Sequence, residues 1–457
     1  MQNHPPTIHR IDARRDDLTA AIDALRAKLG PRAGAVSQAS RERTIELFGE
    51  PLSPQQVVER ICSDVRELGI AALLEYSRKL DKASLTAESI RVSPDELAAS
   101  HERADREFLA SVRRIRDNIL TFQRAVKHRD VEVAPGNGIR LQQRYLPLER
   151  VGLCVPGGAA AYPSTVLMTA VPAIAAGVAQ IVVVAPPTPF GANNPHVQAV
   201  CHELGITEVY RAGGAQAVAA LAYGIEGIER VDKIVGPGNL FVTLAKKFVF
   251  GEVDIDSLAG PSEVVVIADE TSRPEFVAAD MLAQAEHAPG ASILVTWSER
   301  VLDATAKEIE RQVAGLDRSE VTVQSLEELA ALILVRDENE ACEVANRIAP
   351  EHLHVAIDGA ERLLPQLRFA GATFLGPFSP VALGDYVAGP SHVLPTGGTA
   401  RWASGLSVNT FLRSMSVIAY DESALRRAAP DVQRLAQVEG LTAHRSSIDI
   451  RVGEGRQ

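Results

Sequence analysis

The chain has 457 residues, a length that suits roughly three domains. Hydrophobic residues make up 46% and charged residues 23% of it, which is typical of a globular protein with a sizeable core. The net charge is −11 and no run is rich in Lys or Arg, so nucleic acid and anionic membrane surfaces are not expected as partners.

The cysteines and the N-terminal residues favour a cytoplasmic protein. The first 17 residues are polar and lack the apolar core of a signal peptide. The most apolar stretch, 170–187, contains Pro172, Gly177 and Gln180, so it is predicted as a helix and a buried strand, with no membrane span. The cysteines form no CxxC pair, which argues against a disulfide framework or a thiolate zinc site; they are Cys62, Cys154, Cys201 and Cys342.

The first quarter of the chain is predicted to be mostly helical. Apolar residues at helical spacing predict helices over 17–29, 54–79 and about 94–127. Gly30 and Pro31 are expected to stop the first of them. Short strands and Gly/Pro turns begin around 144–158, which indicates a domain boundary.

From this boundary to about residue 376, short β-branched runs alternate with helices. Apolar runs of this length, such as 181–185, 263–269 and 292–297, favour parallel sheets in an α/β fold. The chain is long enough for two sheets, although the residues show no internal duplication. The last 50 residues are predicted to be helical and end in a polar tail.

Gly-rich loops follow several predicted strands. Bare backbone amides in such turns can approach the pyrophosphate of a dinucleotide. No GxGxxG fingerprint is present, so plain tight turns explain each loop equally well. The loops are VPGG (155–158), AGGAQ (212–216), GPGN (236–239) and AGPSE (259–263).

The stretch DMLAQAEHAPG (280–290) places an amide and an imidazole on one helix face, at Gln284 and His287. Nitrogen and oxygen ligands without sulfur suit zinc, with further ligands from Asp385 and a C-terminal histidine. The alternative is an ordinary helix end with hydrogen-bonded side chains, which is the better interpretation of this pair taken alone.

A second pair, Glu351 and His352, follows Pro350 at the start of a predicted strand. An adjacent acid and imidazole can divide proton transfer, with His as base and Glu activating water. A hydrogen-bonded turn is the alternative when the pair is taken alone. His354, two residues further along the strand, is predicted to be structural.

Long strings of this sequence together resemble one enzyme family, histidinol dehydrogenase. The resemblance extends from about residue 45 to about residue 450, and it rests on whole strings in a fixed order. These are VPGGAAAYPSTVLM, GGAQAVAALAYG, VDKIVGPGN, AGPSEVVVIAD, LAQAEHAPG, APEHL, GDYVAGPSHVLPT, SGLSVNTF and EGLTAH.

The resemblance implies a function and a set of site residues. The activity would be the NAD-dependent, zinc-dependent four-electron oxidation of L-histidinol to L-histidine through L-histidinal, the final steps of L-histidine biosynthesis. Glu351 and His352 would be catalytic, and Gln216 and Asn239 would contact NAD⁺. One zinc ion per subunit would be held by Gln284, His287, Asp385 and His444. The substrate would contact the four zinc ligands and Ser262, His352, His392 and Glu439.

The resemblance also implies an α/β fold of two incomplete Rossmann-like domains with parallel sheets, in a homodimer with shared active sites. One domain would comprise 49–153 and 263–406 and carry the catalytic pair. The other, 154–262, would be inserted in it and bind NAD. A helical segment (1–48) would precede them, and a helical C-terminal arm (407–457) would reach the partner. The chain departs from the family at Cys154, where a tyrosine that contacts the cofactor is usual.

Other functions remain open from the residues alone. A sister enzyme on the same scaffold, such as a sulfopropanediol dehydrogenase, would prefer Arg or Lys where Glu439 stands. A zinc hydrolase would leave the Gly-rich loops without a role, and the chain has no HExxH motif. An inactive scaffold would not be expected to keep the complete set of matched site residues.

Overall fold

The structure, a computed structural model, describes residues 6–29, 44–158 and 160–453. The predicted helix stop at Gly30 and Pro31 lies outside these residues. The chain divides into a large unit, 1–125 with 148–411, and a small unit, 126–147 with 412–457.

The helices of the large unit alternate with its strands along most of the chain. They are α1 (Leu18–Leu29), α2 (Pro54–Leu68), α3 (Ile70–Leu80), α4 (Pro94–Arg103), α5 (Arg106–Val126, which ends at the first residue of the small unit), α6 (Pro163–Ala176), α7 (Pro195–Glu203), α8 (Gly214–Tyr223), α9 (Leu240–Val249), α10 (Pro274–Ala285), α11 (Glu299–Val313), α12 (Ser319–Leu329), α13 (Glu338–Ile348) and α14 (Val381–Tyr386).

The strands form two parallel sheets in the large unit and an antiparallel sheet in the small one. They are β1 (His9–Asp12), β2 (Val131–Gly136), β3 (Ile139–Pro147), β4 (Arg150–Cys154), β5 (Gln180–Ala185), β6 (Glu208–Arg211), β7 (Lys233–Val235), β8 (Asp254–Ile255), β9 (Ser262–Ala268), β10 (Gly290–Thr296), β11 (Ala331–Leu334), β12 (His352–Val355), β13 (Ala372–Leu375) and β14 (Leu412–Tyr420).

The two parallel sheets share one strand order, and the predicted α/β fold with parallel sheets is confirmed. The five-stranded sheet has the order β6-β5-β4-β7-β8, and the six-stranded sheet has β1-β11-β10-β9-β12-β13. Numbered along the chain within each sheet, both read third, second, first, fourth, fifth, with β1 added at one edge of the larger sheet. This is the strand order of dinucleotide-binding folds. Successive strands are added on one side of the first strand and then on its other side, so the strand order reverses beside the first strand.

Strand β9 shows why its sequence is almost continuously apolar. Val265 and Ile267 pack on one face with α1 and α13, whereas Val264 and Val266 pack on the other with α10 and α11. Since side chains alternate between the faces of a strand, helices on both faces demand apolar residues at every position. The five-stranded sheet is covered on one face by α2, α3, α8 and α9.

Two helices predicted as continuous are each broken once. Gly69, with φ of 58°, ends α2 and precedes α3, and Ala104 has an extended backbone between α4 and α5. Side-chain hydrogen bonds cap the N-terminus of the helix before the first break, α2, and of the helix after the second break, α5. Ser53 and Gln56 form a capping box ahead of α2, and the Asp105 carboxylate accepts from the backbone N–H of Phe108 in α5.

The small unit comprises a three-stranded antiparallel sheet, β14-β3-β2, and the helices α15 (Glu422–Val438) and α16 (Thr442–Val452). The predicted helical C-terminus is therefore correct for 422–438 and 442–452, but 412–420 is a strand. Its residues pair with the whole of β3, from Leu412 opposite Pro147 to Tyr420 opposite Ile139. Among the described helices, none has the length and apolar character needed to cross a membrane.

Candidate active site

The predicted catalytic pair lies at the amino edge of the six-stranded sheet. Ser262 is the first residue of β9 and His352 the first of the adjacent β12, and Glu351 directly precedes it. Helix α10 ends on the same side, because the chain leaves it to enter β10 at Gly290, which pairs with Ser262. The parallel order of the strands thus brings together residues that lie far apart in sequence.

A chain of hydrogen bonds connects three of the predicted site residues. The Gln284 amide donates from Nε2 to Oγ of Ser262 at 2.7 Å, and Ser262 Oγ donates to Oε2 of Glu351. The same carboxylate oxygen accepts from the backbone N–H of Glu263 at 3.1 Å. Burial nevertheless raises the pKa of Glu351 to about 7, so this carboxyl can exchange a proton near neutral pH.

His352 is buried between two carboxyl groups. Its Nδ1 lies 3.7 Å from Oε2 of Glu351, and its Nε2 lies 3.9 Å from Oδ1 of Asp385. Both distances exceed those of hydrogen bonds, and Nδ1 has no partner. Burial lowers the pKa of the imidazole, while the Asp385 carboxylate opposes that shift. A neutral imidazole with an unpaired nitrogen is suited to accept a proton.

Asp385 lies in α14 and His392 in the loop that follows this helix, and a hydrogen bond between the His392 ring and the Asp385 main chain connects them. The Asp385 side chain is about one quarter exposed, and burial raises its pKa. His392 Nδ1 lies 3.0 Å from the backbone carbonyl of Asp385, so this nitrogen carries the proton and Nε2 keeps its lone pair. Burial lowers the pKa of His392 to about 4. A cavity of about 370 Å³ lies between His352, Phe374 and His392.

His287 follows the last turn of α10, where its backbone N–H donates to the Gln284 carbonyl at 3.2 Å. The residue is exposed to solvent, yet the protein around its imidazole lowers the pKa by desolvation, while the charge of Glu351 opposes that shift. The sequence-based expectation that His354 is structural is confirmed. That ring lies 2.7 Å from the Asp280 carboxylate and 2.9 Å from the Gly376 carbonyl.

A larger cavity, of about 620 Å³, opens at the carboxyl edge of the five-stranded sheet. Cys154 at the end of β4 and the loops that follow β4, β5, β6 and β7 line it, and three of the Gly-rich loops, those after β4, β6 and β7, are among them. Gly236 holds one loop against β4, since its φ is 106° and a Cβ there would lie 2.4 Å from the Cys154 carbonyl oxygen. The cavity lies at the reversal of strand order, where open α/β sheets bind ligands.

Both predicted NAD contacts line this cavity. Asn239 caps α9, accepting from the backbone N–H groups of Phe241 and Val242. The Gln216 amide donates to Asp81 at 3.1 Å, and its buried Oε1 has no partner. Burial raises the pKa of Asp81 to about 6. Burial also raises the pKa of the Cys154 thiol to about 12, so it stays protonated.

Comparison with known proteins gives a consistent assignment. A family model described as histidinol dehydrogenase matches residues 51–452. A histidinol dehydrogenase of Rhodopirellula baltica is 57% identical over 448 residues, 97% of each chain, and one of Heliobacterium mobile is 50% identical over 396 residues, 86% of this chain and 93% of that one. The chain belongs to the histidinol dehydrogenase family.

The fold agrees with this assignment. A crystal structure of histidinol dehydrogenase from Elizabethkingia anophelis matches with a TM-score of 0.88 and 34% identity, over 99% of each chain. In this chain, hydrogen bonds connect Ser262 with Gln284 and Glu351. His352 and Asp385 lie beside them. Glu439 and His444 lie in the small unit, at the end of α15 and on α16, with exposed side chains.

Sequence reasoning missed Glu263, a fully buried acid beside the predicted catalytic pair. Burial, and then the charge of Glu351, raise the pKa of its carboxyl to about 8. Its Oε1 accepts from the backbone N–H groups of Glu351 at 3.2 Å and Gly397 at 3.0 Å, while Oε2 has no partner. An acid at the start of the buried run EVVVIA (263–268) was the available signal.

Glu263→Gln is expected to remove one pH-dependent loss of stability. The folded protein raises the pKa of this carboxyl from 4.5 to about 8, so between these values it holds a proton that the unfolded chain has released. Stability therefore falls as pH rises through this window. The Tm of the variant minus that of wild type should grow from about pH 5 to about pH 8 and then stay constant. A calorimetric difference that does not change with pH would contradict a neutral Glu263.

Proposed function

We propose that this protein oxidises L-histidinol to L-histidine through L-histidinal, with NAD⁺ as hydride acceptor and one zinc ion per subunit, in the final steps of L-histidine biosynthesis. Family membership supports the substrate. The observation that carries the chemistry is the buried pair Glu351–His352, which has an unpartnered imidazole nitrogen and a carboxyl with a pKa of about 7. The pKa of Glu351 lies near neutral pH, where such catalysis is most effective, and the lowered pKa of His352 keeps its ring neutral and able to accept a proton.

In the proposed mechanism His352 accepts the proton of the substrate alcohol during the first oxidation. Its lowered pKa keeps the ring neutral and ready to do so. Glu351 then accepts a proton from the water that adds to the aldehyde carbon, and the resulting hydrate is oxidised in the second step. Ser262 holds the carboxylate in place through its hydroxyl. The cavity beside His352 would retain the aldehyde between the two oxidations.

The proposed zinc ligands have donor atoms that suit this ion. When bound, zinc would supply a positive template that orients substrate nitrogen and oxygen atoms. Because the Gln284 amide nitrogen already donates to Ser262, its carbonyl oxygen is the atom left for a cation. His287 and Asp385 would add nitrogen and oxygen, and His444 the fourth ligand. Among the described residues, no group of three or more His, Cys, Asp or Glu side chains is arranged to hold a metal ion by itself.

The cavity at the five-stranded sheet supports the proposal for NAD. When bound there, NAD would supply the hydride acceptor. Gln216 offers an unpaired amide oxygen, and Asn239 fixes the start of α9 at the cavity wall. Helix α9 is also tied to the segment that leads to the catalytic residues, because Thr243 donates to the carbonyl of Ala259 at 2.9 Å, just before Ser262.

The small unit supports a homodimer with shared sites. Among its described residues, 126–147 and 412–453, the buried hydrophobic side chains are only Ala424, Ala429 and Ala436. Large apolar side chains are instead 63–72% exposed; they are Ile418, Leu435, Val438 and Ile450. Such exposure marks an interaction surface, and a second copy of this chain would cover it. Glu439 and His444 would then serve the partner's site.

We also propose the domain borders that the family resemblance implies. The catalytic domain would comprise 49–153 and 263–406, the NAD-binding domain 154–262 and the arm 407–457. The sheet that carries the large cavity begins with β4, at Arg150.

The decisive assay measures NADH at 340 nm with L-histidinol and NAD⁺. We expect two NADH per L-histidinol consumed, with L-histidine as the product, whereas an alcohol-only dehydrogenase would give one NADH per L-histidinol and stop at L-histidinal. Gln216→Ala should raise KM for NAD⁺ about tenfold, the cost of one hydrogen bond. Gln198→Ala, a buried glutamine that bonds Ser100 and Ala192 outside the cavity, is the matched control and should leave that KM unchanged. Turnover of a sulfonated diol without turnover of L-histidinol would replace the proposed substrate.

A further inference from the structure

We propose that Glu263 is a positioning residue, which fixes the catalytic pair and the loop carrying His392 relative to each other through its carboxyl oxygen Oε1. The proposal deepens the function proposed above, and it rests first on hydrogen-bond geometry that is independent of any substrate. None of the catalytic or binding roles described so far includes this side chain.

The first part of the geometry is a reciprocal contact between two adjacent strands. The Glu351 carboxylate accepts from the backbone N–H of Glu263, and the Glu263 carboxyl accepts from the backbone N–H of Glu351. Each acid therefore holds the other's main chain at the amino ends of β9 and β12. A shift of either strand end would break two hydrogen bonds in a water-free setting, where an unpaired N–H costs about 1–3 kcal/mol.

The second part is the contact with the loop after α14. Oε1 of Glu263 also accepts from the backbone N–H of Gly397, and the Thr396 hydroxyl accepts from the N–H of Gly260. This loop, 387–398, carries His392 near its middle, five residues before Gly397. A single oxygen of Glu263 thus binds two segments, one with Glu351 and His352 and the other with His392, to the strand that begins at Ser262.

The burial of Glu263 explains why one side chain can hold two main-chain segments in place. Its side chain is 0% exposed, so no water competes for the two N–H groups. An oxygen acceptor is required at this position, whereas a negative charge is not, because the second oxygen of the carboxyl has no partner. Glutamine preserves the acceptor and methionine of similar length removes it.

The test therefore compares Glu263→Gln with Glu263→Met. The Met variant should lose about 100-fold in kcat for L-histidinol, since small displacements of catalytic groups have effects of this size. It should keep its zinc content, because Glu263 is not a proposed ligand. The Gln variant should retain kcat within about threefold at pH 7. Wild-type kcat in the Met variant would overturn the proposal, and so would an equal loss in both variants.

A second measurement does not depend on activity. Amide hydrogen exchange followed by mass spectrometry should show faster exchange of peptides containing Glu351 and Gly397 in the Met variant, by about tenfold or more, and wild-type rates in the Gln variant. If the wild type fails to oxidise L-histidinol, the proposed function fails while exchange still tests the positioning role. If the Met variant does not fold, Glu263→Asp, which withdraws the carboxyl by one methylene, should show the same faster exchange at both sites; unchanged exchange there would refute the proposal.

Discussion

His352→Asn should reduce kcat for L-histidinol by about 10²–10⁴-fold, the contribution typical of a general base. Asparagine keeps polarity and approximate size, but it cannot accept a proton at neutral pH. Zinc content should stay at the wild-type level, because His352 is not among the proposed ligands. Steady-state kinetics and metal analysis on the same preparation measure both quantities.

His354→Asn is the matched control on the same strand. His354 bonds Asp280 and Gly376, away from the catalytic pair, so its loss should lower Tm and leave kcat within a few-fold of wild type. If His352→Asn retained near-wild-type kcat, a different residue would be the base. If it lost zinc as well, its role would be in metal binding.

Mixed dimers should recover activity that two inactive variants lack. Gln284→Ala lies in the large unit and His444→Ala in the small one, and each should abolish zinc binding and turnover alone. If sites are shared between subunits, a mixed dimer has one site with both changes and one with neither. Random reassociation makes about half of the dimers mixed, so about a quarter of wild-type activity should return.

The control for this experiment pairs Gln284→Ala with His287→Ala. Both residues lie at the end of α10 in the same unit, so every site of a mixed dimer lacks one of them. No activity should return. Recovery in this control, or failure of recovery with His444→Ala, would contradict sites built from two subunits.

The parallel strands were the part of the fold most accessible to sequence reasoning. Strands buried on both faces leave continuous apolar runs, and the runs at 181–185, 263–269 and 292–297 became β5, β9 and β10. The shared strand order could not be predicted, because it depends on pairing between distant segments and not on local pattern. The hairpin β2–β3 was missed except for the end of β3, which lies in the predicted strand region 144–158, because β2 is wholly exposed and β3 only partly buried.

The site was predicted through family resemblance more than through chemistry. Taken alone, Gln284 and His287 were better explained as an ordinary helix end, and Glu351–His352 as a hydrogen-bonded turn. Only the fold shows Ser262 bonding both Gln284 and Glu351 from an adjacent strand. Glu263 was missed because one strand residue carries no periodicity of its own, and its role becomes visible only when its main-chain partners are located.

The two sheets with the same strand order carry the large cavity and the proposed catalytic pair at opposite edges, and this determines the sign of the helix-dipole field at each place. Helices in such folds begin at the carboxyl edge, so the N-termini of α8 and α9 direct partial positive charge toward the large cavity, which suits a pyrophosphate. At the amino edge, α10 ends beside Gln284 and directs partial negative charge toward the catalytic pair. One topology therefore provides an anion-attracting edge, which would suit the proposed dinucleotide, and a cation-attracting edge, which would suit the proposed metal ion or an ammonium group.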